Sequence, residues 1–411
     1  MLKRVGVQQL QVGMYLEEFC CSWMEHPFWR SGFVITDAKD IERIRSSSIS
    51  EVWIDCGKGI DVAPENPAVS VAESEDQIEA TLNQVALDAR PAENTLASEE
   101  YSRAAELCVG AKQTAVAIFQ EARMGKAINT ADALNLVEQV IESVTRNSCA
   151  LTSLVRLKSA SDFTYMHCVA VCALMVVLAK RLGFDHEKTR TAGLAGLLHD
   201  LGKAALPIEL LHKPEKLSDD EFSIIRQHPV EGLRILQHCG IDGAILDVCL
   251  NHHARADGSG YPNKFKGNEI SLLAKMAAVC DVYDAISSGR PYKTAWDPAE
   301  SMRKMAEWTH GHFDPVVFHA FVKSIGIYPV GSLVRLASGR LGVVIEQSAS
   351  SLLTPSVKIF YSTKLNARIS QEIVDLSVPD CTEVIEARED PAKWNFPDLL
   401  TLWSGLTRPP W

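Results

Sequence analysis

The spacing of apolar and polar positions changes twice along this chain. Over residues 1–62 the apolar positions fall in short β-rich runs, VGMYLEE and EVWIDCG, with the helix-like DAKDIERIRSS between them. From about Ser98 to Ile325 the spacing is that of helices. SEEYSRAAELCVGAKQTAVAIFQEARMG follows a cap at Ser98, and INTADALNLVEQVIESVTRN follows a cap near Thr130. CVAVCALMVVLAKRLG is apolar nearly all round, which predicts a central helix, and TAGLAGLLHDLGK is similar. Near Tyr328 the pattern returns to strands. SLVRL, a turn over Ala337–Arg340, LGVVIEQ, SVKIFYS and EIVDLSV predict a small β-rich module over 329 to about 388. The tail WNFPDLLTLWSGLTRPPW is aromatic and is expected to pack on a neighbouring surface.

These changes predict a multidomain chain. A small N-terminal α/β module (1–62) has an accessory or regulatory place, and an acidic linker (63–98) follows. A central all-α domain (99–328) comes next, then a C-terminal β-rich module with its tail (329–411). The linker has few aromatics and many acids, so it buries little apolar surface, although Gln77 to Leu87 suits a helix. No internal repeat and no βαβ alternation is present.

Composition narrows the function. The chain has 411 residues, 46% hydrophobic and 23% charged, ordinary for a globular protein. A net charge of -11 argues against a general nucleic-acid binder, so no DNA partner is expected. An anionic ligand then requires positive charge concentrated at one site. Eleven cysteines without zinc-type spacing read as reduced thiols, which predicts a cytoplasmic protein. Nothing at the N-terminus resembles a signal peptide. The apolar run Cys168–Ala179 is shorter than the roughly 20 residues that cross a bilayer, so no membrane span is expected.

The candidate chemistry lies in the helical region. Five histidines, His167, His199, His228, His252 and His253, accompany Asp200 and Asp281. Imidazoles and carboxylates suit divalent iron, manganese or zinc. Any one of these histidines alone is more often a satisfied core residue than a ligand. Asp281, inside LLAKMAAVCDVYDAIS, is harder to explain without a partner, because a lone buried carboxylate is costly. Asp284, one turn on, suits a supporting role.

The order LLHDLGK, LPIELLHKPEKL, RQHPVEG, NHHARADGSGYP, AAVCDVYDAISSGRPYKTA, HGHFDP, over roughly residues 160 to 325, resembles the HD-GYP family. QLQVGMYLEEFCCSWMEHPFWRSGFVI resembles a domain of unknown function often found ahead of it. The resemblance implies an HD-type helical domain and a bacterial cyclic di-GMP phosphodiesterase. It implies that Asp200 bridges two metals, with His167, His199 and Asp281 on one and His228, His252 and His253 on the other. Lys203 would reach a phosphate oxygen, Tyr261 of Gly260-Tyr261-Pro262 would line the pocket, and Arg290 and Lys293 would hold phosphates or a guanine edge.

The implied cofactors are two divalent ions, iron or manganese first, with magnesium, zinc or nickel also compatible. A hydroxide bridging them would open the 3′–5′ phosphodiester to pGpG, with GMP as the product of a second cut. No serine or cysteine nucleophile is required. Two positions depart from the family. Phe163 stands where some members carry a glutamate that supports a third metal, which predicts two metals here. Ala254 replaces a glutamate after the paired histidines, which predicts looser support of the metals. A 3′3′-cGAMP or other cyclic-dinucleotide substrate stays open. So does a weakly catalytic sensor that docks onto other cyclic di-GMP signalling proteins, and so does a homodimer.

Overall fold

The computed structural model describes residues 1–21, 32–47, 49–63, 66–87, 97–158, 163–211, 213, 217–288, 296–309, 311–348 and 351–410. Arg290, Lys293, His310 and part of the N-terminal motif lie outside them, as do residues 88–96 of the acidic segment.

The N-terminal strands are β1 (Leu2–Gly6), β2 (Tyr15–Phe19), β3 (Phe33–Val34), β4 (Glu51–Asp55) and β5 (Val69–Ser70). They form an antiparallel sheet in the order β3-β2-β4-β1-β5, joined by helix α1 (Ala38–Ser46). Alternation along a strand explains its core. Val52 and Ile54 of β4 bury against Ile41 and Ile44 of α1. Trp53, between them in sequence, points away and donates its indole N–H to Glu307 at 2.6 Å.

The segment expected to be an acidic linker holds more structure than its composition implies. Val71–Leu87 forms α2, and Ile78, Leu82 and Val85 are buried in the main core. Their spacing of four and three residues makes one narrow apolar stripe, enough to seat a helix that also carries Glu73, Glu75, Asp76 and Glu79.

Helices α3 (Ala97–Arg123), α4 (Thr130–Arg146), α5 (Ala150–Val155), α6 (Phe163–Arg181) and α7 (His186–Leu198) follow. After a 3-10 turn at Leu201–Ala205 come α8 (Ile208–Leu211), α9 (Asp219–Ile225), α10 (His228–His238) and α11 (Ala244–Asn251). Next are α12 (Leu272–Ser287), α13 (Pro298–Trp308) and α14 (Pro315–Ile325). Helix α6 is the axis of this region, with every residue from Met166 to Ala179 buried. It is the one helix among the described residues long and apolar enough to cross a membrane, but 78% of that window is buried inside the protein. It therefore reads as a core helix.

The last strands are β6 (Leu333–Leu336), β7 (Arg340–Glu346), β8 (Ser356–Ser362), β9 (Ala367–Asp375) and β10 (Ile385–Arg388). They form a second antiparallel sheet in the order β10-β6-β7-β8-β9. The tail carries α15 (Pro391–Trp394) and α16 (Leu399–Ser404). Trp403 of α16 meets Tyr101 of α3 edge to face at 5.4 Å, so the aromatic tail closes over the helical core.

Candidate metal centre

Five helices deliver the candidate ligands to one buried place. His167 lies in the second turn of α6. His199 caps the C-terminus of α7, and Asp200 follows it. His228 opens α10, His252 caps the C-terminus of α11, and Asp281 lies within α12. Helix ends suit the task because the chain turns there, letting adjacent residues converge on one point. His167, His199, Asp200, His228, His252 and Asp281 are all buried.

Two glycines make the convergence sterically possible. A Cβ at Gly202 would lie 1.8 Å from the His228 carbonyl oxygen, so only glycine lets the turn after Asp200 rest on α10. A Cβ at Gly260 would lie 2.4 Å from the His253 carbonyl oxygen. That approach folds the Gly260-Tyr261-Pro262 loop back on the paired histidines, where the Tyr261 amide donates to the His253 carbonyl at 3.2 Å.

The hydrogen bonds orient the rings. Nδ1 of His199 meets the Gly196 carbonyl at 2.8 Å, Nδ1 of His228 the Ile225 carbonyl at 2.7 Å, and Nδ1 of His252 the Cys249 carbonyl at 2.9 Å. A carbonyl only accepts, so each Nδ1 carries the proton and each neutral ring presents its Nε2 lone pair. Burial pulls His199 down to about 4 and His228 down to about 3, and it lowers His252 and His253 as well. These four rings are therefore neutral near pH 7 and ready to bind a cation.

His167 is oriented differently. Its Nδ1 donates to Asp284 at 2.6 Å, while its Nε2 faces Asp281 at 2.9 Å and Asp200 at 3.6 Å. Burial opposes its protonation, but the bonds to Asp281 and Asp284 outweigh burial and raise its pKa. Asp284 also accepts from Lys158 at 2.6 and 2.7 Å, and the Lys158 side chain is 0% exposed. A carboxylate behind a metal-binding imidazole fixes its tautomer and raises its basicity.

Asp200 sits at the crossing. Its Oδ1 lies 3.2 Å from Nε2 of His228 and 3.8 Å from Nε2 of His252, and its Oδ2 lies 3.5 Å from Nε2 of His199. Lys203 binds Oδ2. Burial works against charge on Asp200, but Lys203 and the surrounding histidines hold it well below the usual carboxylate range. Asp281 is held low too, by His167 and its neighbours against the cost of burial.

Three atoms show what the donor set lacks. His199 Nε2, Asp200 Oδ1 and Asp281 Oδ2 are buried without a hydrogen-bond partner. Such atoms are expensive unless a cation or water satisfies them. Their residues fall into groups able to hold an ion: His167 with His199 and Asp281, His228 with His252 and His253, and His199 with Asp200 and His252. The buried donors, all imidazole and carboxylate, fit borderline divalent ions.

The remaining expected residues fall around this cluster. Lys203 is 21% exposed while the Asp200 it binds is buried. Tyr261 stacks on His253 with ring centroids 4.5 Å apart. Ala254 is buried with Ile270 and Ala274, so small apolar side chains close the position expected to weaken metal support. Phe163 stacks on His167 at 5.6 Å with Lys158 Nζ over its ring at 5.4 Å.

Sequence reasoning missed Lys158, which follows Arg156 in the short stretch before α6 and carries no motif of its own. It also missed the brace under the Gly260-Tyr261-Pro262 loop. There the Ala256 and Asp257 amides donate to the carbonyls of His312 and Gly311 at 3.1 and 2.9 Å.

Residues 2–133 match a family profile described as a domain of unknown function, DUF3391, and residues 134–317 match one described as an HD domain. A cyclic di-GMP phosphodiesterase of Pseudomonas aeruginosa is 51% identical over 411 residues, covering 99% of this chain and 97% of that protein. A 3′3′-cGAMP-specific phosphodiesterase of Vibrio cholerae is 35% identical over 185 residues, 45% of this chain and 42% of that protein. Among solved structures, an HDG"Y"P protein of Bdellovibrio bacteriovorus aligns with a TM-score of 0.46 at 16% identity, over 78% of this chain and 98% of that one.

Proposed function

The chain belongs to the HD-GYP family of HD-domain proteins, and from that premise we propose that it is a metal-dependent cyclic di-GMP phosphodiesterase. The observation that carries the reading is the meeting of two ligand groups at one shared carboxylate, Asp200. His167, His199 and Asp281 would hold one divalent ion and His228, His252 and His253 the other, with Asp200 contributing to both. Iron and manganese, the first candidates, are both compatible with a mixed imidazole and carboxylate set. Phe163, which offers no ligand atom, stacks on His167 with the Lys158 ammonium over its own ring, which favours two ions over three.

Bound there, the two ions supply Lewis acidity toward a phosphoryl oxygen and activate water. The chain's own residues do the rest. Lys203 turns from Asp200 to a non-bridging phosphate oxygen and stabilises charge that develops on it. Asp284 keeps His167 in the tautomer that presents Nε2. Tyr261 covers His253 and narrows the mouth of the site. Arg290 and Lys293 are the further phosphate or guanine contacts.

Cysteine chemistry has no part in this. Burial holds the thiols of Cys168 and Cys280 far above their ordinary range and pushes Cys172 up to about 12, so none offers a thiolate.

The reading is tested by turnover. Protein loaded with Mn(II), or with Fe(II) under anaerobic conditions, is given cyclic di-GMP and 3′3′-cGAMP separately, and products are resolved by chromatography. Conversion of cyclic di-GMP to pGpG or GMP, abolished in Asp200→Ala, is expected. Metal-replete protein that cleaves neither nucleotide would instead be a sensor.

A further inference from the structure

Arg226 is half-buried at the C-terminus of α9, two residues before His228. Its guanidinium carbon lies 4.7 Å from the ring centroid of Tyr261 and 5.0 Å from that of Phe222. Tyr261 in turn stacks on the ring of His253. A continuous stack therefore runs from a candidate metal ligand, through the tyrosine of the loop, to a cation.

Among the described residues the cation has no anion. Other arginines of this chain lie against carboxylates: Arg146 bonds Glu100, Arg190 bonds Glu187 and Arg303 bonds Glu300. Arg226 makes no ion pair among the described residues, and its Nε is buried without a hydrogen-bond partner. The chain carries eleven more acids than bases, 52 against 41, so a carboxylate for Arg226 was easy to place. Aromatic faces hold the guanidinium plane without using its N–H donors. A planar fork fixed by rings, with its donors unspent, is the arrangement that receives a phosphate in two parallel hydrogen bonds.

We propose that Arg226 is a substrate-binding residue that takes a phosphate of the cyclic dinucleotide, outside the metal ligands and Lys203. This rests on the phosphodiesterase reading for the identity of the ligand, but not for the occurrence of binding. In the proposal, Tyr261 acts as the platform that aims Arg226.

The test uses full-length, metal-loaded protein and two readouts: steady-state hydrolysis of cyclic di-GMP, and equilibrium dialysis of a phosphorothioate analogue that resists cleavage. Arg226→Met keeps the apolar stem on the rings and removes the donors. It is expected to raise both KM and the analogue's Kd by about tenfold or more, the size of one lost charge-assisted contact. kcat stays within about threefold of wild type, and the metal content is unchanged. Arg226→Lys recovers part of the affinity through its charge but not all of it, because it lacks the fork.

KM and Kd within about twofold of wild type in Arg226→Met would overturn the proposal. So would a loss of affinity that merely follows a loss of bound metal. Wild type that binds the analogue but hydrolyses nothing would sink the phosphodiesterase reading alone and leave Arg226 to be judged on binding.

Discussion

The Nε2 atoms of His228 and His252 lie 3.2 Å apart in a fully buried site. Both rings spend their Nδ1 proton on a backbone carbonyl. Two lone pairs therefore face each other at hydrogen-bond distance, beside the unpartnered Oδ1 of Asp200. Without a cation this is repulsive; with one it is a binding site.

Metal removal should accordingly destabilise the fold. A ligand present at about 100 times its Kd adds about 2.7 kcal/mol to stability. Thermal melts with and without a chelator should differ by several degrees, and Mn(II) should restore the difference. An unchanged Tm on chelation would count against a built-in cation site.

Lys158 and Asp284 form a buried pair at 2.6 Å with both side chains almost wholly enclosed. Lys158→Met strands a carboxylate in the interior, a change that costs about 3–5 kcal/mol. It also loosens the hold on His167, so metal affinity should fall about 10–100-fold. Replacing Asp284 as well should recover much of the stability but not the metal affinity. Chemical denaturation together with metal titration separates the two effects.

Gly202→Ala tests the contact that brings Asp200 to His228. The new methyl has no room beside the His228 carbonyl. Destabilisation of about 1–3 kcal/mol or more is expected, with loss of metal out of proportion to loss of helix. Circular dichroism and metal content on one sample decide it.

The pH dependence of the metal-free protein has a definite sign. His199 and His228 titrate at about 4 and about 3 in the fold, below the unfolded value near 6.5. Below pH 6.5 the unfolded chain binds protons that the fold refuses, so stability falls as pH drops toward 4. Asp200, Asp281 and Asp284, all held low, extend the loss below the ordinary aspartate range. His167, raised by its bonds to Asp281 and Asp284, and Asp297, pushed up to about 7 by burial, oppose this, since each adds stability that disappears as pH rises through its folded value, while the lowered His252, His253 and His312 add to the loss at low pH. The net expectation is a Tm that falls from pH 6.5 to pH 4, and falls less in His228→Gln.

Much of this was legible in the order of residues. The helical and strand periods located both sheets and the central helices, and the ordered ligands marked the site. Partnerships across long sequence separations were not legible. Lys158 and Asp284 are 126 residues apart, and no periodicity links them. Arg226 looks like an ordinary polar helix end until Tyr261 is seen beneath it. The acidic composition of α2 hid a three-residue apolar stripe, because mean composition averages away the one face that packs.

Among the described residues, Asp200 is the one carboxylate placed to be shared by two cations. Metal counting on purified, loaded protein addresses that directly. The prediction is two ions per chain in wild type and loss of at least one in Asp200→Ala with the helical fold retained. Two ions still bound in Asp200→Ala, or three in wild type, would contradict it.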